Sequence, residues 1–207
     1  MTTRGRGPEG AAPLPPAWLA TAPLPILELA AGSPLVRVHH AGFGPVFFSP
    51  GAGKGPIGRF DSPSGSFGVL YLARSLEGAF AETVLRNPHR RLIDPAEITS
   101  RAVSVLGVSR TVRLVEMRGR GLQALGTDNA ISTGPYGPCG AWADALFNHP
   151  DQPDGVAYTS RHDPDQVCIG LFSRADIALD ILSGPTPLAD MAADVADLLR
   201  RYAKGLG

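Results

Sequence analysis

The sequence predicts a mixed α/β domain of the α+β kind, and three observations carry that reading. Short apolar or alternating runs bounded by Gly, Pro and Ser recur between residues 34 and 181, as strands do. Between them the period changes to a helical one over residues 76–86 and 139–148, and again over 188–204. The length, 207 residues, suits one core that buries about 70% of the surface exposed by the unfolded chain.

Composition removes several classes. Lys plus Arg and Asp plus Glu are equal at nineteen each, so no global field draws the chain to nucleic acid or to an anionic membrane. Two cysteines, Cys139 and Cys168, without CxxC spacing, build neither a zinc site nor a disulfide framework and suit a reducing cytoplasm. No run approaches the ~20 apolar residues that span a bilayer, and prolines interrupt any apolar stretch near the start that could serve as a signal peptide.

Residues 1–24 are rich in Pro, Ala and Gly and read as a flexible arm, with residues 25–207 as a single domain. Ile26 to Ala31 reads as a helical turn, and Leu35 to His39 alternates as a strand with Arg37 opposite Val36 and Val38. Gly53 to Gly58 satisfies G-x-G-x-x-G in form only: Pro56 removes an amide, no helix opens after it, and Lys54 is not followed by Ser or Thr. It reads as a glycine-bearing loop beside a pocket. Gly68 to Ala73 is a short apolar strand. Ser75 caps a helix with Leu76, Ala79, Phe80, Thr83 and Val84 on one face, stopped by Asn87 and Pro88. Glu82 lies in it beside the apolar stripe, as a boundary residue or a reactive one.

Further along, Asp94 to Glu97 makes a short turn, and Ala102–Val108 and Val112–Met117 read as neighbouring strands of a hairpin. Gly121 to Gly126 suggests a short helix closed by glycine, and Thr133 to Pro138 a turn into a helix over Cys139–Asn148 that offers Trp142, Leu146 and Phe147 to the core. Gly155 to Ser160 and Val167 to Phe172 are strands, with another near Ile177–Ile181. Leu188 to Lys204 is an amphipathic helix for packing, a partner or a second copy. No G-x-S-x-G elbow supports a Ser/His/Asp hydrolase. His39 and His40 are adjacent and so face opposite ways, and His162, Asp163 and Asp165 form a polar loop rather than a metal site.

Gly58-Arg59-Phe60, the strand with Tyr71, then Ala81-Glu82-Thr83, and far downstream Tyr158-Thr159-Ser160-Arg161 together resemble the RES domain found in toxins of bacterial RES-Xre toxin–antitoxin pairs. The eleven-residue step from Tyr71 to Glu82 is the most specific feature, and Trp142 to Leu146 fits as well. Family members often carry Trp-Asn after the arginine, where this chain has Phe60-Asp61. The resemblance implies an ADP-ribosyltransferase-like fold, with two small, largely antiparallel sheets around a cleft and flanking helices. It implies NAD as substrate, with no separate cofactor, and a toxin held by an Xre-type antitoxin.

Each implied site residue has a physical fit. Breaking the nicotinamide–ribose bond develops positive charge on the ribose, which a carboxylate such as Glu82 stabilises. Tyr71 offers an aromatic face to the pyridinium, worth about 0.5 to 2 kcal/mol. Arg59 has the planar fork that suits a diphosphate, Arg37 stands on the first strand near the substrate, and Ser160 can hold Glu82 or touch the substrate. Water as acceptor gives a glycohydrolase, inorganic phosphate as co-substrate an NAD phosphorylase, and a protein side chain an ADP-ribosyltransferase. An inert RES-like binding module is the alternative outside enzymes.

Overall fold

The computed structural model describes residues 10–50, 54–174 and 176–207. In chain order its elements are strands β1 (Ile26–Leu29), β2 (Pro34–His40) and β3 (Val69–Ala73), helix α1 (Leu76–Thr83), β4 (Leu92–Ile93), α2 (Pro95–Thr99), β5 (Arg101–Val108) and β6 (Val112–Met117). Then follow α3 (Arg120–Leu125), α4 (Ala130–Thr133), α5 (Tyr136–Phe147), β7 (Gly155–Thr159), β8 (Val167–Phe172), β9 (Leu179–Pro187), α6 (Ala192–Arg201) and β10 (Gly205–Leu206). Eight strands form one mixed sheet in the order β1-β6-β7-β8-β3-β2-β5-β9, antiparallel except between β6 and β7. β4 and β10 make a small parallel pair.

The apolar pattern of the strands explains the layers. In β3, Leu70 and Leu72 join a cluster with Leu35, Leu106, Leu114, Ile169 and Leu171, whereas Val69, Tyr71 and Ala73 face a second cluster containing Phe80, Trp142 and Phe172. The first cluster draws its fully buried members from strands alone, so that face is covered by the sheet closing upon itself. Helices α1, α5 and α6 cover the other face through Phe80, Trp142, Leu146 and Leu198. The two halves of the sheet meet at a seam: β2 and β3 share one partner pair, Val36 with Ala73, while β2 and β5 share seven. The expected two sheets are thus two halves of one.

Three expectations need correction. Ile26–Leu29 is a strand paired with β6, because its amides find partners on an open sheet edge and the tertiary ladder overrides a short helical period. β5 and β6 are consecutive but not a hairpin: β5 pairs with β2 and β9, β6 with β1 and β7. Alternation identifies a strand, not its neighbour. The described part of the N-terminal arm is packed: Ala12 and Leu19 are buried, Trp142 Nε1 donates to Pro13 O (2.7 Å), and His149 Nε2 lies 3.0 Å from Leu19 O. Proline removes donors there, so carbonyls of the arm serve as acceptors for buried ring N–H groups. Residues 1–9, and Gly53 of the glycine loop, lie outside the described residues; Lys54 to Ile57 open no helix.

Candidate active site

The seam between β2 and β3 opens into a cleft of about 560 Å³ lined by Arg37 from β2, Arg59 from the following loop, Tyr71 from β3 and Glu82 from α1. The strand-to-helix step places the last two together. Tyr71 points to the helical face of the sheet, and Ser75 caps α1 by accepting from Gly78 N (3.0 Å), which aims the last turn, with Glu82, back at the strand ends. Ser160 stands behind Glu82: its Oγ donates to Glu82 Oε1 at 2.6 Å, and Arg161 N donates to the same oxygen at 2.9 Å. Ser160 Oγ in turn accepts from His162 N (3.1 Å) and Asp163 N (3.2 Å). The hydroxyl proton is spent on Glu82, so Ser160 orients the carboxylate. Among the described residues no hydrogen bond engages Glu82 Oε2.

Tyr71 is committed through its hydroxyl and free through its ring. Its O–H donates to Asp61 Oδ1 (2.8 Å) and its oxygen accepts from Phe60 N (2.9 Å). Burial first, and the Asp61 charge after it, push its pKa well above the usual phenol value. Asp61, only 1% exposed, also accepts from Ser49 Oγ (3.1 Å), Ile57 N (3.0 Å) and Gly58 N (2.7 Å). It therefore ties the arginine loop to β3. Gly58 is required there, since a Cβ would come within 2.5 Å of the Tyr71 hydroxyl.

Both arginines are partly engaged. Arg59 is buried; Nη1 donates to Gly134 O (2.8 Å) and Cys139 Sγ (3.5 Å), and the guanidinium lies 4.8 Å from the Tyr136 ring centroid. Arg37 Nη1 donates to Pro45 O (2.8 Å) and Phe47 O (3.2 Å), and burial lowers its pKa to about 10. Among the described residues no ion pair includes Arg37, Arg59, Arg86 or Arg90, all of which line the cleft. A neutral chain thus concentrates uncompensated positive charge where an anionic ligand would lie. No group of three or more His, Cys, Asp or Glu able to hold a metal occurs among the described residues. His39 is satisfied internally, its Nε2 3.0 Å from Ser104 Oγ.

All five residues expected from sequence meet at this cleft, four in its lining and Ser160 behind Glu82. Two others were missed. Asp61 sits in a Ser/Gly/Pro-rich turn where aspartate is an ordinary turn residue. Tyr158, which also lines the cleft, stands in the Tyr158–Arg161 stretch that carries the resemblance, but in a strand ending in hydroxyls nothing local marks it apart from its neighbours.

The RES domain pattern matches residues 34–190. The chain belongs to the RES domain family. No curated protein matches it. Among solved structures, a chain of the M. tuberculosis MbcT–MbcA toxin–antitoxin complex shares the fold at 15% identity with a TM-score of 0.51, over 80% of this chain and 92% of that one. No helix among the described residues is long and apolar enough to cross a membrane.

Proposed function

We propose that this protein is the toxin of a toxin–antitoxin pair and that it cleaves the nicotinamide–ribose bond of NAD. The observation that carries the reading is Glu82: one oxygen is held by Ser160 and the Arg161 amide, and the other is left for the cleft beside the Tyr71 ring. On this reading the pyridinium stacks on Tyr71, the diphosphate lies toward Arg37 and Arg59, and Glu82 faces the ribose. As the C–N bond breaks, both electrons leave with nicotinamide and positive charge grows on the ribose, so the carboxylate's attraction strengthens in the transition state. Nicotinamide departs as a neutral base, so no proton donor is required at the leaving nitrogen. The RES family match and the toxin–antitoxin neighbour support an antitoxin partner, and on this reading it is of the Xre type that the sequence resemblance implies.

The test is nicotinamide release from NAD by purified protein, with and without inorganic phosphate, read by mass spectrometry beside Glu82→Gln. Wild type should release nicotinamide, and the variant should lose roughly 10²–10³ of the rate. ADP-ribose as product means water attacked; its 1-phosphate means phosphate did. Intact NAD in both buffers would remove the NAD-cleaving reading and turn attention to protein ADP-ribosylation.

A further inference from the structure

Three tyrosines line the cleft. Tyr136 is exposed and carries the Arg59 guanidinium over its ring, and of the other two only one has a hydroxyl to spare. Tyr71 donates its single proton to Asp61 and accepts from Phe60 N, which leaves only its ring for a ligand. Tyr158, on β7, is 4% exposed, and its ring meets the edge of Phe60 with centroids 4.9 Å apart. Among the described residues no hydrogen bond engages its hydroxyl. Nor does that oxygen belong to the polar atoms sealed inside the protein without a partner; it opens onto the cleft, which Tyr158 lines. Phenylalanine would fill the same space against Phe60, so what the tyrosine adds is a donor that faces the cleft. A tyrosine here makes physical sense when a ligand completes it.

Its position says where on the ligand. Tyr158 lies two residues before Ser160, so both side chains leave the same face of the chain. Across the sheet it pairs with Cys168, which pairs in turn with Ala73 of β3. Burial, and after it the nearby charges including Glu82, push its pKa well above the phenol value, so near neutral pH it is a donor. Deep on an apolar floor, a neutral donor fits an uncharged carbonyl, and the cations at Arg37 and Arg59 are better suited to phosphate oxygens.

We propose that the Tyr158 hydroxyl donates a hydrogen bond to the carboxamide oxygen of the nicotinamide ring, which makes Tyr158 a substrate-contacting residue that selects carboxamide-bearing pyridinium compounds. The assignment rests on the NAD reading above. In the bound cation the ring withdraws density from the carbonyl. When the C–N bond breaks, its electron pair returns to the ring nitrogen, the ring becomes neutral and the carbonyl becomes a better acceptor. The hydrogen bond strengthens as the reaction proceeds, with no proton transferred from Tyr158.

Tyr158→Phe keeps the ring against Phe60 and removes only the hydroxyl, so its unfolding midpoint should equal or exceed that of wild type. The test compares kcat/KM for NAD and for thionicotinamide adenine dinucleotide, whose thiocarbonyl is the weaker acceptor. The wild-type preference for NAD should shrink by roughly tenfold in the variant, with NAD cleavage itself slowed by a similar factor. Wild-type turnover of NAD by the variant, or equal slowing with both dinucleotides, overturns the assignment. Binding of free nicotinamide, followed by ligand-observed NMR, reports without turnover. Weaker binding by Tyr158→Phe supports the contact even if NAD is never cleaved, in which case only the cleavage reading fails; equal binding, or none by either protein, overturns the contact.

Discussion

Asp61 holds the site together by accepting four hydrogen bonds at two oxygens. Asparagine has the same shape but only one acceptor oxygen, so Asp61→Asn sets its amide nitrogen against either Tyr71 or the Ser49, Ile57 and Gly58 donors. We expect the variant to lose about 1–3 kcal/mol of stability in urea unfolding, and to raise KM for NAD more than it lowers kcat, because the Tyr71 ring and the Arg59 loop lose their common anchor. Ser160→Ala should act the other way. It frees Glu82 Oε1 from one donor and should lower kcat by roughly 10- to 100-fold with a smaller change in KM, read by steady-state kinetics. Tyr71 and Glu82 were legible in the sequence because a strand, a cap and a helix in succession fix their spacing, and Ser160 because the Tyr158–Arg161 stretch resembles the family's. Asp61 was not, since its importance lies in partners 10 to 12 residues away at Ser49 and Tyr71 that no local pattern announces.

The element that delivers Glu82 is short. α1 has eight residues, fewer than a helix needs to persist alone in water, so its cap and its packing decide whether the carboxylate is aimed. Ser75 accepts from Gly78 N and donates to Gln166 Oε1 (2.6 Å), tying the helix start to the turn that leads into β8. Ser75→Ala should cost about 1 kcal/mol in urea unfolding. Phe80→Ala, which empties a fully buried ring site, should cost about 3–5 kcal/mol. The cap and apolar face were readable locally. The pairing of β5 and β6 was not, because each run is buried on both faces and a polar three-residue connection looks the same whether it turns back or crosses over. There Arg110 is drawn away to Asp154 by two hydrogen bonds of 2.9 and 2.7 Å.

Across the whole molecule, that Asp154 contact links the β5–β6 connection to the start of β7. Burial alone would raise the Asp154 carboxyl, but hydrogen bonds from Arg110 and the Arg113 amide outweigh it and hold its pKa below the usual value. The stabilisation is complete above the unfolded pKa of about 3.9 and is lost as pH falls through the lower folded value. Asp154→Asn should therefore destabilise the protein near neutrality by about 2 kcal/mol and flatten the acid limb of a stability–pH curve. The described part of the N-terminal arm belongs to this scale too: its carbonyls satisfy Trp142 and His149, contacts more than a hundred residues apart that proline-rich composition could not reveal.

The cleft lies where β2 and β3 splay apart after a single shared residue pair. Part of the wall is therefore the facing edges of those two strands, alongside the side chains that α1 and the loop before β3 contribute, and peptide groups on such an edge can meet a ligand. Peptide N–H and C=O groups are common to every sequence that keeps the fold. A drug-like blocker that borrowed those groups would leave the protein few single-residue routes to resistance, because exchanging a side chain does not delete the amide beneath it.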